Sequence, residues 1–303
     1  DHGRTAARPS RADHGRAAPR AGPRRGRGRR ARVEQPSGRG RGGSELRARI
    51  LAAIPAVAFA GFLVAEGGLI FALGLLVLGA ICLHELYAMY ARARPARLAG
   101  FVALAGLLAT AQYGGRPQVL LAAVLAIPVA FAFTLAQPRP SAGGLALTLL
   151  GIYWIGFAFA HAVLLRRLPH GGGIVLDVLV GTFLGDTGAY IGGRLLGRRP
   201  LAPKISPNKT VEGLVIGMAF AILGTWIAGR YQDWLPNSHS LVLGVGVALA
   251  APAGDLLESF LKREARIKDS GGLFGAHGGA LDRLDAVLFT AVAGYYIWAA
   301  YVH

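Results

Sequence analysis

The chain has 303 residues and a formal charge of +17, yet only 16% of its residues are charged, 53% are hydrophobic and 44 are glycine. A soluble domain would carry about a quarter charged residues, whereas here long apolar blocks recur, each able to cross the roughly 30 Å hydrocarbon layer. The composition excludes an ordinary soluble enzyme and indicates an all-α, polytopic integral membrane protein whose glycines let helices approach closely.

Residues 1–44 read as a separate region, rich in Arg, Gly, Pro and Ala with almost no large apolar side chain to bury, and are expected to be a disordered tail. Its arginines supply most of the net charge. Phosphate contacts with nucleic acid would suit that charge, but no aromatic residue is interleaved for base stacking. The favoured reading is a basic cytoplasmic tail resting on anionic membrane lipids, with no nucleic acid as partner.

Residues 45–303 read as one membrane-embedded domain. Nine apolar blocks follow in order, at about 50–65, 68–83, 98–113, 118–136, 143–165, 174–191, 210–229, 241–257 and 285–301, and predict nine transmembrane helices. Only Glu66-Gly67-Gly68 separates the first two, so they form a hairpin or include a re-entrant segment. Cys82 lies inside the second block, has no second cysteine to pair with, and reads as a small core residue. The stretch His84-Glu85-Leu86-Tyr87-Ala88-Met89-Tyr90 precedes Arg92, Arg94 and Arg97 and reads as a helix lying at the membrane interface. A second reading makes His84 and Glu85 metal ligands.

With nine spans, the tail and the basic loops at 84–97, around Arg139, at 192–209 and at 258–284 fall on one side. By the rule that Lys and Arg collect inside, that side is the cytoplasmic face of a multi-pass cell-membrane protein, with His303 opposite. Arg116, Arg166, Arg167 and Arg230 lie on the wrong side of this scheme.

From Gly185 to Gly213 the apolar pattern yields to polar residues. Asp186 and Tyr190 share a helix face, Gly181, Gly185, Gly188 and Gly192 offer close contacts, and an acid within an apolar span is by default a functional residue. Arg194, Arg198, Arg199, Lys204 and Lys209 then run through an irregular loop that suits a polyphosphate. Ser206-Pro207 reads as an N-cap followed by proline at the first helical position, which puts Lys209 and Thr210 in the first turn beside free N–H groups. There is no Gly-x-x-x-x-Gly-Lys-Ser/Thr motif, so a P-loop is excluded.

Residues 255–285 hold the densest charge of the apolar part. Asp282 and Asp285 share a helix face and Asp255 closes the preceding span, so three carboxylates converge at one depth and call for a hard cation such as Mg²⁺. Lys262, Arg263, Arg266, Lys268 and Arg283 surround them with positive charge. His277-Gly278-Gly279 reads as a tight turn in which His277 bonds a phosphate or steadies the turn rather than binding a soft metal.

The run Ser259-x-Leu261-Lys262-Arg263-x-x-x-x-Lys268-Asp269-x-Gly271-x-x-Phe274-x-x-His277-Gly278-Gly279-x-x-Asp282-Arg283-x-Asp285 closely resembles the signature of the phosphatidate cytidylyltransferase, or CDP-diacylglycerol synthase, family. The 185–213 stretch looks like that family's upstream block, and the resemblance covers roughly 50–303. Gly275 stands where the family usually has Pro, and Ala280 where it has a larger aliphatic residue. The resemblance implies transfer of a cytidylyl group from CTP to phosphatidic acid, giving CDP-diacylglycerol and pyrophosphate. It further implies that Asp255, Asp282 and Asp285 ligate Mg²⁺, with K⁺ as candidate second cation. Lys262, Arg263 and Lys268 would hold phosphates, and Asp186, Arg194, Ser206, Lys209, His277 and Arg283 would shape the nucleotide or headgroup site. A homodimer is left open. Two alternatives compete: a CTP-dependent kinase of polyprenols or other lipids, and, outside enzymes, a membrane cation transporter. The Asp-Gly-x-x-Ala-Arg hallmark of CDP-alcohol phosphotransferases is absent.

Overall fold

The computed structural model describes residues 55, 57–267, 269–271 and 278–302. The expected tail at 1–44, and with it Lys268 and His277, lies outside the described residues. What is described is almost entirely helical: α1 (Val57–Glu66), α2 (Gly68–Met89), α3 (Arg97–Tyr113), α4 (Arg116–Leu135), α5 (Ala142–Gly151), α6 (Phe157–Arg167), α7 (Gly171–Leu196), α8 (Val211–Gly229), α9 (Asn237–Glu264) and α10 (Leu281–Val302). A π-helical turn, Ile152–Gly156, joins α5 to α6 so that Ala142–Arg167 acts as one span. Each of the nine expected apolar blocks is helical where it is described. Among the described residues seven are long and apolar enough to cross a membrane, while Val57–Glu66 and Arg97–Tyr113 are shorter. Exposed Leu, Val, Ile and Phe side chains along α2, α4, α7 and α8 are what a lipid-facing surface requires.

One expected surface element is not there. Residues 84–89 continue α2 rather than forming a separate interfacial helix, and Glu85, Leu86 and Tyr87 are buried while His84 is exposed. Packing decides this: the Tyr87 ring meets Phe101 edge-on at 6.5 Å and its hydroxyl donates to Thr148 O at 3.1 Å. Cys82 is buried, as its apolar setting implies.

Helices α7 and α8 form the closest pair. A Cβ built on Gly217 would lie 2.7 Å from that of Ala189, and one on Gly192 2.7 Å from Ile216 Cβ, so the seam exists because these positions lack side chains. A buried hydroxyl pair, Thr182 to Thr290 at 3.0 Å, ties α7 to α10. Pro252 sits inside α9, three residues before Asp255, and has no N–H to give the carbonyl one turn back.

The arginines on the unexpected side have structural employment. Arg166 Nε donates to Val64 O at 2.8 Å at the end of α1, and Arg167 donates to Gly114 O at 2.8 Å after α3, so both satisfy carbonyls that helix ends leave without partners. Arg116 lies 6.0 Å from the Tyr296 ring centroid and Arg230 5.8 Å from that of Trp226. Each of these four charges thus has a local contact of its own.

The basic loops do share one end of the bundle. Ser141 Oγ donates to Ala93 O at 2.9 Å, Arg263 Nε donates to Ile205 O at 3.1 Å, and α2 reaches the start of α10 through Glu85.

Candidate functional site

Between α7 and α8 the chain forms a small antiparallel ribbon, β1 (Pro200–Ala202) against β2 (Ser206–Thr210), with Pro200 opposite Thr210 and Ala202 opposite Ser206. This overturns the expected cap at Ser206. Proline's fixed φ suits an edge strand as well as a first helical turn, and Pro207 takes the strand. The cap of α8 is Thr210, whose Oγ1 accepts the Gly213 N–H at 3.1 Å. Glu212 in the first turn accepts the Arg198 and Arg199 N–H groups at 3.0 and 3.1 Å and pairs with the Arg199 guanidinium at 2.9 Å, fastening the ribbon to the helix.

The ribbon roofs a cavity of about 730 Å³ between α7, α8 and α9, and the start of α10 closes it. Ser206, Lys209, Asp186 and Arg194 line it, as do Asp255, Asp282 and Asp285. The two charged stretches, 185–213 and 255–285, therefore meet in one site. Four lining carboxylates, Asp186, Asp255, Asp282 and Asp285, face two lining cations, Arg194 and Lys209, an imbalance that favours a bound cation. Apolar Leu214, Met218, Ala221 and Ala248 continue the wall into the bundle.

Several of the charged groups have a defined partner. Lys209 pairs with Asp255 across the roof. Lys262 bridges Glu258 at 2.6 Å and Asp282 at 2.7 Å, and Arg194 donates to the Tyr190 hydroxyl at 3.1 Å. Asp282 Oδ2 also accepts the Ser270 N–H at 3.0 Å and the Gly279 N–H at 2.7 Å, so both of its oxygens have partners. Gly278 adopts φ 82° beside it, and a Cβ there would lie 2.6 Å from Asp282 Oδ2. Arg263 is held at Ile205 O on the rim, and Arg283 is exposed.

The carboxylates that converge are Asp255, Glu258 and Asp285, whose oxygens lie within 4.8 Å of one another. Asp255 and Asp285 were expected in this group; Glu258 was not, and Asp282, also expected, lies beside it across Lys262. Gly254 makes the approach possible, since a Cβ on it would sit 2.9 Å from the Asp285 carbonyl carbon. Glu258 is 2% exposed and its Oε1 is buried without a hydrogen-bond partner. An orphaned carboxylate oxygen facing two other carboxylates is a costly arrangement in a protein alone, and a hard divalent cation with oxygen ligands resolves it. The residues thus fit a hard divalent cation. Glu258 had one sequence signal, its position three residues after Asp255 and four before Lys262, which puts all three side chains on one stripe of α9.

The fold and the site together define a largely helical membrane protein with a charged cavity, rich in carboxylates, beneath its two-stranded ribbon. The cytidylyltransferase family model matches residues 47–301, and the chain belongs to that family. It is 32% identical over 277 residues to the phosphatidate cytidylyltransferase of Bacillus subtilis, covering 85% of this chain and 99% of that protein. It is 34% identical over 209 residues to phosphatidate cytidylyltransferase 4, chloroplastic, of Arabidopsis thaliana, covering 60% of this chain and 53% of the relative. It is also 36% identical over 185 residues to the uncharacterized protein YnbB of Escherichia coli, covering 57% of this chain and 62% of that protein.

Proposed function

We propose that this protein transfers the cytidylyl group of CTP to phosphatidate, forming CDP-diacylglycerol and pyrophosphate, in the cavity under the β1–β2 ribbon. The observation that carries the reading is the triad Asp255, Glu258 and Asp285 with its orphaned oxygen, of which Asp255 and Asp285 line the cavity together with Lys209, while Lys262 pairs with Glu258. The relatives from Bacillus subtilis and Arabidopsis thaliana named as phosphatidate cytidylyltransferases support it. The catalytic unit is the 45–303 region, the site faces the cytoplasm where CTP is found, and the basic tail rests on anionic lipid.

In this reaction a phosphate oxygen of the lipid attacks the α-phosphorus of CTP, a new P–O–P linkage forms, and the α–β bond breaks with its electron pair on pyrophosphate. The nucleophile is already ionised at neutral pH, so the barrier is mainly repulsion between anions. A Mg²⁺ held by Asp255, Glu258 and Asp285, with K⁺ as candidate second cation, would supply charge neutralisation and alignment of the phosphates. Lys209, placed on the ribbon, exchanges its Asp255 contact for a nucleotide phosphate. Arg194 and Arg263 flank the opening, Ser206 and Asp186 line the nucleotide side, and Lys262 holds Glu258 and Asp282 in register. Arg283, with Lys268 and His277, which lie outside the described residues, completes the phosphate contacts.

Purified protein in detergent, given α-labelled CTP, phosphatidate and Mg²⁺, should yield lipid-linked cytidine in a Mg²⁺-dependent manner. Label transferred instead from the γ-position to lipid would identify a kinase, and no lipid product from either label would overturn the proposal.

A further inference from the structure

Resting on that reading of the site, we infer that Glu85 is a positioning residue: from α2 it fixes the first turn of α10 and thereby the reach of Asp285 toward Asp255 and Glu258. Glu85 is 5% exposed. Its Oε1 accepts the Ala280 N–H at 3.0 Å, and its Oε2 accepts the Leu281 N–H at 2.9 Å and the Ser270 hydroxyl at 3.1 Å. The two amides belong to a helix start, where N–H groups have no intrahelical acceptor and negative charge is favoured. Such groups are normally satisfied by a neighbour in sequence. Here the acceptor comes from 195 and 196 residues away.

Two glycines of the signature-like run have their physical reason in this contact. A Cβ on Gly271 would lie 2.7 Å from Glu85 Cδ, and one on Gly279 2.6 Å from it, so both positions are vacated for a residue outside the run. Asp282 grips the same backbone from the other side, through the Ser270 and Gly279 N–H groups. Just beyond α2 the Tyr90 hydroxyl donates to Leu261 O at 2.8 Å, near the end of α9, and lies against the Glu264 carboxylate. Burial and that carboxylate push the Tyr90 hydroxyl above its ordinary pKa, which keeps it a donor. The end of α2 therefore holds both arms of the site: α9 one turn past Glu258, and α10 one turn before Asp285. Misplacing a reacting constellation by about 1 Å can cost on the order of a hundredfold in rate.

The test compares full-length Glu85→Gln, Glu85→Ala and Gly279→Ala proteins with wild type, using Mn²⁺ as the probe. Free Mn²⁺ is followed by electron paramagnetic resonance without nucleotide, and kcat, the KM for CTP and half-saturating Mg²⁺ are measured separately. Glu85→Ala should weaken Mn²⁺ binding about tenfold, the lower end of what loss of an outer partner costs a metal site, and should lower kcat more than it raises the KM for CTP. Gly279→Ala should act in the same direction because its Cβ displaces the carboxylate. Glu85→Gln should be intermediate, since one amide oxygen still accepts the Ala280 N–H. Glu85 variants that bind Mn²⁺ like wild type and lose only thermal stability would overturn the inference and leave a structural cap. If Glu85→Ala does not fold, the isosteric Glu85→Gln decides by the same measure. A wild-type protein that binds Mn²⁺ but makes no lipid-linked cytidine refutes the proposed reaction, and the Mn²⁺ comparison still decides the role of Glu85.

Discussion

Replacing Glu258, Asp282 and Asp285 one at a time by their amides separates a metal ligand from a structural carboxylate. Glu258→Gln keeps the shape of a side chain that is 2% exposed, and Lys262 retains Asp282 at 2.7 Å, so folding should survive. What is lost is one charge in a group of oxygens within 4.8 Å of one another. Turnover should fall about a hundredfold or more, as when a preorganised electrostatic element is removed, and the Mg²⁺ requirement should rise. Asp285→Asn should behave alike. Asp282→Asn differs: the side chain answers Lys262 at 2.7 Å and two backbone amides at 3.0 and 2.7 Å, and an amide oxygen still accepts from those amides. Its cost should be the charged part of one hydrogen bond, about 1–3 kcal/mol, read as lower thermal stability and reduced turnover. The half-saturating Mg²⁺ concentration should stay near wild type. The assay is lipid-linked cytidine formation across a Mg²⁺ titration, with thermal unfolding measured in parallel. Should Asp282→Asn raise the Mg²⁺ requirement more than Glu258→Gln does, the ligands are Asp255, Asp282 and Asp285 and the assignment of Glu258 is wrong.

Two further outcomes are expected. Gly217→Val forces a side chain into the α7–α8 seam, where a Cβ alone would lie 2.7 Å from that of Ala189; overpacking of this kind costs about 1–3 kcal/mol and should lower the unfolding midpoint in detergent. A chain lacking residues 1–44 should keep its turnover in detergent while binding anionic vesicles more weakly at low salt, a difference that shrinks as salt is raised; a folded but inactive truncation would assign the tail to the site.

The apolar blocks were legible in the sequence because lipid demands long uninterrupted runs, and they reappear as helices, of which seven among the described residues are long and apolar enough to cross a membrane. The two charged stretches were equally legible, since acids and bases are conspicuous in an apolar chain, and they meet in one cavity. Local ambiguity defeated the reading at Ser206-Pro207, where proline is at home both in an edge strand and at a helix start. Glu258 was overlooked because a glutamate four residues before Lys262 looks like an ordinary helical ion pair. Glu85 was read only as an interfacial residue or a metal ligand, because its actual partners lie nearly 200 residues away and no periodicity points to them. The arginines at 166 and 167 misled for a related reason: a charge rule counts them as topology signals, whereas their contacts make them helix terminators.

Pro252 has a consequence for how the cavity is equipped. It lines the wall together with Ala248 and Ala251, and it withholds the N–H that an uninterrupted helix would return to the carbonyl of Ala248. The wall of the cavity is thus lined at this point by a helix that lacks one of its regular main-chain bonds. Only an amide at position 252, as in Pro252→Ala, would return that bond to the helix.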